Sequence, residues 1–204
     1  MLTIDILRHG ESTLSHTLRG STDDALTPLG WQQMQNTIMQ AVATGTTWDV
    51  IFSSPLQRCQ SYAQEVAQRY TLPLKIHASL QEMHFGDWEG QSTQQIYEEM
   101  PELLANFWQY PTQFSTPNGE TLQAFERRIL LAVQQITQQM KMYQWKNALL
   151  ISHGGVIKLL KCHALAQPLD DVLTMSAAVG TLHTFEYQDT HLKMRNPAIR
   201  ADEK

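Results

Sequence analysis

The sequence predicts an α/β fold: a three-layer sandwich with a mostly parallel central sheet and helices on both faces. Three observations carry this. Short apolar runs suited to buried strands alternate with longer segments whose apolar residues recur at helical spacing. Chemically loaded residues follow those runs directly, where open α/β sheets gather their ligands. No Pro-, Ser- or Gly-rich linker divides the 204 residues, so 1–204 is expected to be a single domain with a substantial core.

Leu2 to Leu7 is an apolar run interrupted by Asp5 and ending at Arg8-His9-Gly10, a buried strand entering a turn. Thr27-Pro28 reads as a helix start, a hydroxyl cap and then Pro at the first position. Trp31, Met34, Ile38, Ala41 and Val42 continue it at helical spacing. Asp49 to Phe52 is a second strand closed by Ser53-Ser54-Pro55, followed by the stripe Leu56, Cys59, Ala63, Val66 and Tyr70. Leu74 to Ile76 is a third short strand, and residues 78–119 read as less regular. Asn118 is the expected cap of a helix from Glu120, with the stripe Leu122, Phe125, Ile129, Val133, Ile136 and Met140. Ala148 to Ile151 is a fourth strand, then Ser152-His153-Gly154-Gly155 opens a helix to about Ala166. Leu182 to Tyr187 and Leu192 to Met194 read as a hairpin or edge strands, and 197–204 as a frayed end.

The balance of 15 Lys+Arg against 20 Asp+Glu, net charge -5, excludes a broad basic face for nucleic acid or an anionic membrane. No run approaches the roughly 20 apolar residues of a membrane span, and the N-terminus lacks a signal-peptide layout, so a cytoplasmic protein is expected. The 22 Gln outnumber all Asp and Glu and read as uncharged helix faces. Two Cys are too few for a disulfide framework. Cys59 and Cys162 fall on apolar stripes, where core packing is the default.

Four positions fall at one edge of the predicted sheet: Arg8-His9, Arg58, Glu82 and His153. Two guanidiniums suit phosphate oxygens. A neutral imidazole is a good nucleophile toward phosphorus, and Gly10 beside His9 leaves room for an Nδ1–H to carbonyl bond that frees Nε2. His153, ahead of Gly154-Gly155 and helix N-terminal amides, is placed to donate to a developing oxyanion. Glu82 is the best proton donor, although Asp87 and Glu89 lie close in sequence. The arginines supply the positive charge, so no metal or cofactor is required. His16, His77, His84, His163, His183 and His191 share no ligand spacing. Trp88, Phe107, Trp108, Tyr110 and Phe114 can form an aromatic cap over a base or ordinary core.

Leu7-Arg8-His9-Gly10-Glu11-Ser12 resembles the opening signature of the histidine phosphatase superfamily, the phosphoglycerate mutase-like fold. Leu26-Thr27-Pro28-Leu29-Gly30, Ser53-Ser54-Pro55-Leu56-Gln57-Arg58 and Ser152-His153-Gly154-Gly155 resemble its further motifs in order. Within it, Glu82 to Glu89 and Pro117 to Arg128 are most similar to the α-ribazole phosphatases. The resemblance implies a phosphohistidine at His9, with Arg8, Arg58 and His153 completing the pocket and Glu82 as proton donor. It implies substrate contacts from Arg8, Ser15, Thr22, Arg58, His153 and Gly154. Ser15 stands where many members carry Asn, and the loop 16–25 looks short. The implied substrate is a small phosphomonoester, α-ribazole 5'-phosphate or adenosylcobalamin 5'-phosphate, and the implied state a monomer or homodimer. A broad sugar-phosphate or phosphohistidine-protein phosphatase and a phosphoglycerate mutase are the competing activities. A non-catalytic phospholigand-binding module ranks below them, because His9 and Glu82 are both present.

Overall fold

The computed structural model describes residues 1–188 and 191–195; the end at 197–204, expected to fray, lies outside them. Six strands, β1 (Leu2–Arg8), β2 (Val50–Ser53), β3 (Leu74–Ile76), β4 (Asn147–Ser152), β5 (Leu182–Gln188) and β6 (His191–Met194), form one sheet. Its order is β3-β2-β4-β1-β5-β6. The first four positions are parallel, and the β5–β6 hairpin adds antiparallel to β1.

The central strands read as nearly continuous apolar runs because both of their faces are covered. Ile4 and Ile6 of β1, Val50 and Phe52 of β2, and Ala148 and Leu150 of β4 pack into one buried cluster. Helices α5 (Leu122–Met142) and α6 (Gly154–Ala164) fill it with Ile129, Val133, Ile136, Leu159 and Leu160. The alternate residues Leu7, Ile51, Leu149 and Ile151 join a second cluster with Met34 and Ile38 of α1 (Pro28–Ala43) and Tyr62 and Val66 of α2 (Gln57–Tyr70). Two-residue alternation along three adjacent strands thus makes the three layers. Asp5 is buried on the second face, its oxygens taken by Trp48 Nε1 at 2.8 Å and Thr184 Oγ1 at 2.6 Å. A buried carboxyl is tolerated there because both oxygens are bonded.

Helix starts follow cap chemistry. Thr27 Oγ1 accepts from the Gly30 amide, with Pro28 at the first helical position. Val42 departs from the expected stripe and is exposed, because it falls off the buried Met34-Ile38-Ala41 line. α6 ends at Ala164, before the left-handed Ala166.

Residues 78–119 are more ordered than expected. Two 3₁₀ turns, Ala78–Leu80 and Gly86–Trp88, precede α3 (Thr93–Glu99) and α4 (Pro101–Gln109). Ser92 and Gln95 cap α3 reciprocally, a pairing legible in the sequence as Ser-x-x-Gln. Pro101 opens α4. The cap of α5 is also corrected: Thr121 accepts from the Ala124 amide, and the helix begins at Leu122. Asn118 instead sits at φ 55° in a turn, bonded to Asp87. Thr121→Ala should therefore lose about 1 kcal/mol, measured by urea unfolding. Asn118→Gly should be neutral or slightly stabilising, since glycine suits that backbone. The opposite ranking would restore Asn118 as the cap.

Candidate active site

Parallel register assembles the site. Arg8 is level with Ser152, and Ser53 with Ile151, so the residues that follow emerge together at one sheet edge. The His9 amide donates to the Ser152 carbonyl at 3.0 Å, and the Ser54 amide to Ile151 at 3.0 Å. The His9 and His153 rings meet edge to face, 5.3 Å between centroids.

His9 is buried, and its Nδ1 lies 2.8 Å from the Gly10 carbonyl. An N–H at that nitrogen leaves Nε2 unprotonated. A side chain at Gly10 would strike the Gly30 backbone, where α1 begins. Burial first, then Arg58, pushes His9 well below the ordinary imidazole value, although the Gly10 bond opposes this; Arg8 and Arg19 add to the depression. His153 is pushed down by burial, Arg58, His9 and Arg8 in that order. Both rings are thus neutral at pH 7. His153 Nε2 lies 2.7 Å from Ser54 Oγ.

Arg58, in the first turn of α2, has no exposed surface. Its Nη1 donates to the Thr22 carbonyl at 2.7 Å and Asp24 Oδ1 at 3.0 Å, and its Nη2 to the Gly20 carbonyl at 2.7 Å. Asp23 caps the same helix from outside, accepting from the Gln57 amide at 2.6 Å. Arg8 donates through Nη1 to the Ala177 carbonyl, and Gly154 packs against its guanidinium, where a Cβ would stand 3.0 Å from Cζ. The Nε atoms of Arg8 and Arg58 are both buried without a hydrogen-bond partner. Two orphaned cationic donors beside neutral imidazoles are what a tetrahedral oxyanion satisfies.

Glu82 meets the other side of the α6 N-terminus. Its Oε2 accepts from the Gly155 amide at 2.9 Å and its Oε1 from its neighbour Met83 at 3.1 Å. A Cβ at Gly155 would stand 2.3 Å from Oε1, so the glycine pair admits Arg8 and Glu82 together. The two nearby acids are committed elsewhere. Asp87 is exposed and bonded to Asn118. Glu89 accepts from the amides of Ser21, Thr22 and Phe85 and from both hydroxyls of Ser21 and Thr22. Burial alone would raise Glu89, but these bonds hold it below its ordinary value.

Ser15 and Thr22 stand one step back from the pocket. Ser15 is exposed, its hydroxyl accepting from the Ser12 amide and Arg19. The Thr22 hydroxyl faces Glu89, while its carbonyl holds Arg58. Arg19 and Ser54 belong to the same environment and were not singled out from sequence. Arg19 lies 3.6 Å from Asp24 and contributes to the fields at His9 and His153. Its signal was a cation ten residues beyond His9, immediately before Gly20. Trp88 and Phe107 are core, packed edge to face at 5.7 Å, whereas Trp108 and Tyr110 are exposed. Both cysteines are free and buried, and burial raises each thiol. Cys59 is more than filler: its sulfur lies 3.6 Å from His153 Nε2.

Comparison with known proteins gives the family and the fold. The profile of the histidine phosphatase superfamily (branch 1) matches residues 4–199. The chain is 31% identical over 172 residues to the adenosylcobalamin/alpha-ribazole phosphatase of Escherichia coli K12, covering 81% of this chain and 80% of that one. The alpha-ribazole phosphatase of Shigella flexneri superposes with a TM-score of 0.80 at 26% identity, over 95% of each chain. Bacillus stearothermophilus YhfR gives 0.84 at 25% identity, over 100% of this chain and 98% of that one. Among the described residues no helix is long and apolar enough to cross a membrane. With its arginines, histidines and glycines at the sheet edge where the fold gathers them, the chain belongs to the histidine phosphatase superfamily, branch 1.

Proposed function

We propose that the chain is a phosphomonoesterase working through a phosphohistidine on His9. The observation that carries this is the pairing of a neutral, oriented His9 with the unpartnered Nε atoms of Arg8 and Arg58. Nε2 of His9 attacks phosphorus, and the bond to the leaving oxygen breaks. Arg8, Arg58, His153 and the α6 amides at Gly154 take the charge on the phosphoryl oxygens. Glu82 gives its proton to the leaving oxygen. The carboxylate formed then takes a proton from water, whose oxygen attacks the phosphohistidine, releasing phosphate and restoring His9. Ser15 and Thr22 act on the substrate through the loop that holds Arg58 and Arg19.

The substrate we propose is α-ribazole 5'-phosphate or adenosylcobalamin 5'-phosphate, in assembly of the cobalamin nucleotide loop. The similarity to the Escherichia coli and Shigella flexneri enzymes supports this. The proposal includes one histidine phosphatase domain over 1–204, a cytoplasmic location and a monomer or homodimer.

Hydrolysis of an aryl phosphate should proceed without added metal and fall at least about a thousandfold in His9→Ala; retained turnover would sink the mechanism. In a panel with phosphoglycerates and sugar phosphates, α-ribazole 5'-phosphate should show the highest kcat/KM. Equal values would remove the substrate and leave the class. Glu82→Gln should cut turnover of an alkyl phosphate by about 10²–10⁴. With dinitrophenyl phosphate, whose leaving group needs no proton, it should accumulate phosphoenzyme; no accumulation would remove the base role.

Neutral histidines also give a pH signature. Folding depresses His9 and His153, and burial with Lys161 and Arg8 takes His183 to about 4. As pH falls below about 6.5 the unfolded chain takes up protons that the folded chain refuses, so stability is lost. Urea midpoints should therefore be lower at pH 5.5 than at 7.5; a higher midpoint at 5.5 would contradict the neutral assignment.

A further inference from the structure

The turn that leads from β2 into α2, just ahead of Arg58, carries Ser54, a fully buried residue to which nothing above gives a task. Its Oγ lies 2.7 Å from His153 Nε2 and accepts from the Leu56 amide at 3.3 Å. Among the described residues it has no further hydrogen-bond partner. That leaves two arrangements. In one, the hydroxyl gives its proton to Nε2, and His153 carries its own proton on Nδ1. In the other, Nε2–H donates to Oγ, which then accepts twice, while its hydroxyl proton is buried with no acceptor. An unmet donor on so deeply buried a side chain disfavours the second by roughly tenfold or more.

The remaining contact of the ring agrees. Cys59 Sγ lies 3.6 Å from Nε2 and 3.8 Å from Nδ1 and is within reach of the Ser152 carbonyl at 3.5 Å. With the thiol hydrogen directed to that carbonyl, the sulfur offers Nδ1–H only a weak acceptor. A phosphoryl oxygen is a far stronger one, so the proton on Nδ1 is available at little cost.

We infer that Ser54 is a positioning residue that holds His153 as the neutral Nδ1–H tautomer and so defines which ring nitrogen donates to the transferring phosphoryl group. This rests on the phosphate-pocket role proposed for His153. Ser53-Ser54-Pro55-Leu56-Gln57-Arg58 then has two tasks on one strand-to-helix turn: a buried cation and the orientation of a neighbouring imidazole. Ser54 itself need not touch substrate.

Two-bond proton–nitrogen correlations on nitrogen-15-histidine-labelled protein test this directly, with His153 identified by its loss in His153→Gln. The resting wild-type protein should show Nε2 unprotonated and Nδ1 protonated, by about tenfold or more. Ser54→Ala should relax that preference and lower kcat by about tenfold or more, whereas Ser54→Thr, which keeps the hydroxyl, should restore both. A wild-type ring protonated at Nε2 overturns the inference, and so does a Ser54→Ala protein with the wild-type tautomer ratio. Since the tautomer is read without turnover, its failure is distinct from failure of the phosphatase reading, which the His9→Ala assay decides.

Discussion

Arg58 is the constraint around which the site is built. A guanidinium with no exposed surface loses its hydration, a cost of several kcal/mol that only close compensation offsets. Asp24 and the carbonyls of Gly20 and Thr22 supply that compensation. The loop after β1 therefore has to fold back over α2, and its Asp23 caps that helix on the way. Glu89 fastens the same loop to the segment bearing Glu82. The cation also depresses both buried histidines, second only to burial itself. The settings of His9, His153 and Glu82 thus depend on one charge and on the carbonyls that hold it.

That dependence explains how a chain of net charge -5 builds a site for an anion. Arg8, Arg19 and Arg58 converge at one sheet edge, with Asp24 as a shared counter-ion on the protein side. The Nε atoms of Arg8 and Arg58 keep their hydrogen-bonding capacity in reserve.

Much of this was legible in the sequence, for identifiable reasons. Central parallel strands are apolar on both faces, so β1, β2 and β4 stand out as runs. Register then follows from the fold, and residues after those strands must share an edge. Hence Arg8, His9, Arg58 and His153 could be grouped from order alone. Glu82 was harder, because three carboxylates lie within eight residues and only tertiary contacts separate them. Arg19 and Ser54 were passed over because they act through partners distant in sequence, Asp24 with its carbonyl neighbours and His153. Helices α3 and α4 are hard to read from sequence because each is short, seven and nine residues, although Ser92, Gln95 and Pro101 carry their start signals. Asn118 attracted the α5 cap because Asn suits both caps and left-handed turns, and the turn prevailed.

The central claim is that phosphorus passes through a covalent histidine intermediate before reaching water. The stereochemical course at phosphorus tests it most directly. An isotopically chiral phosphorothioate ester, hydrolysed in oxygen-labelled water, should give product with overall retention, because attack by His9 and then by water inverts the centre twice. Overall inversion would mean a single direct attack by water and would contradict the account.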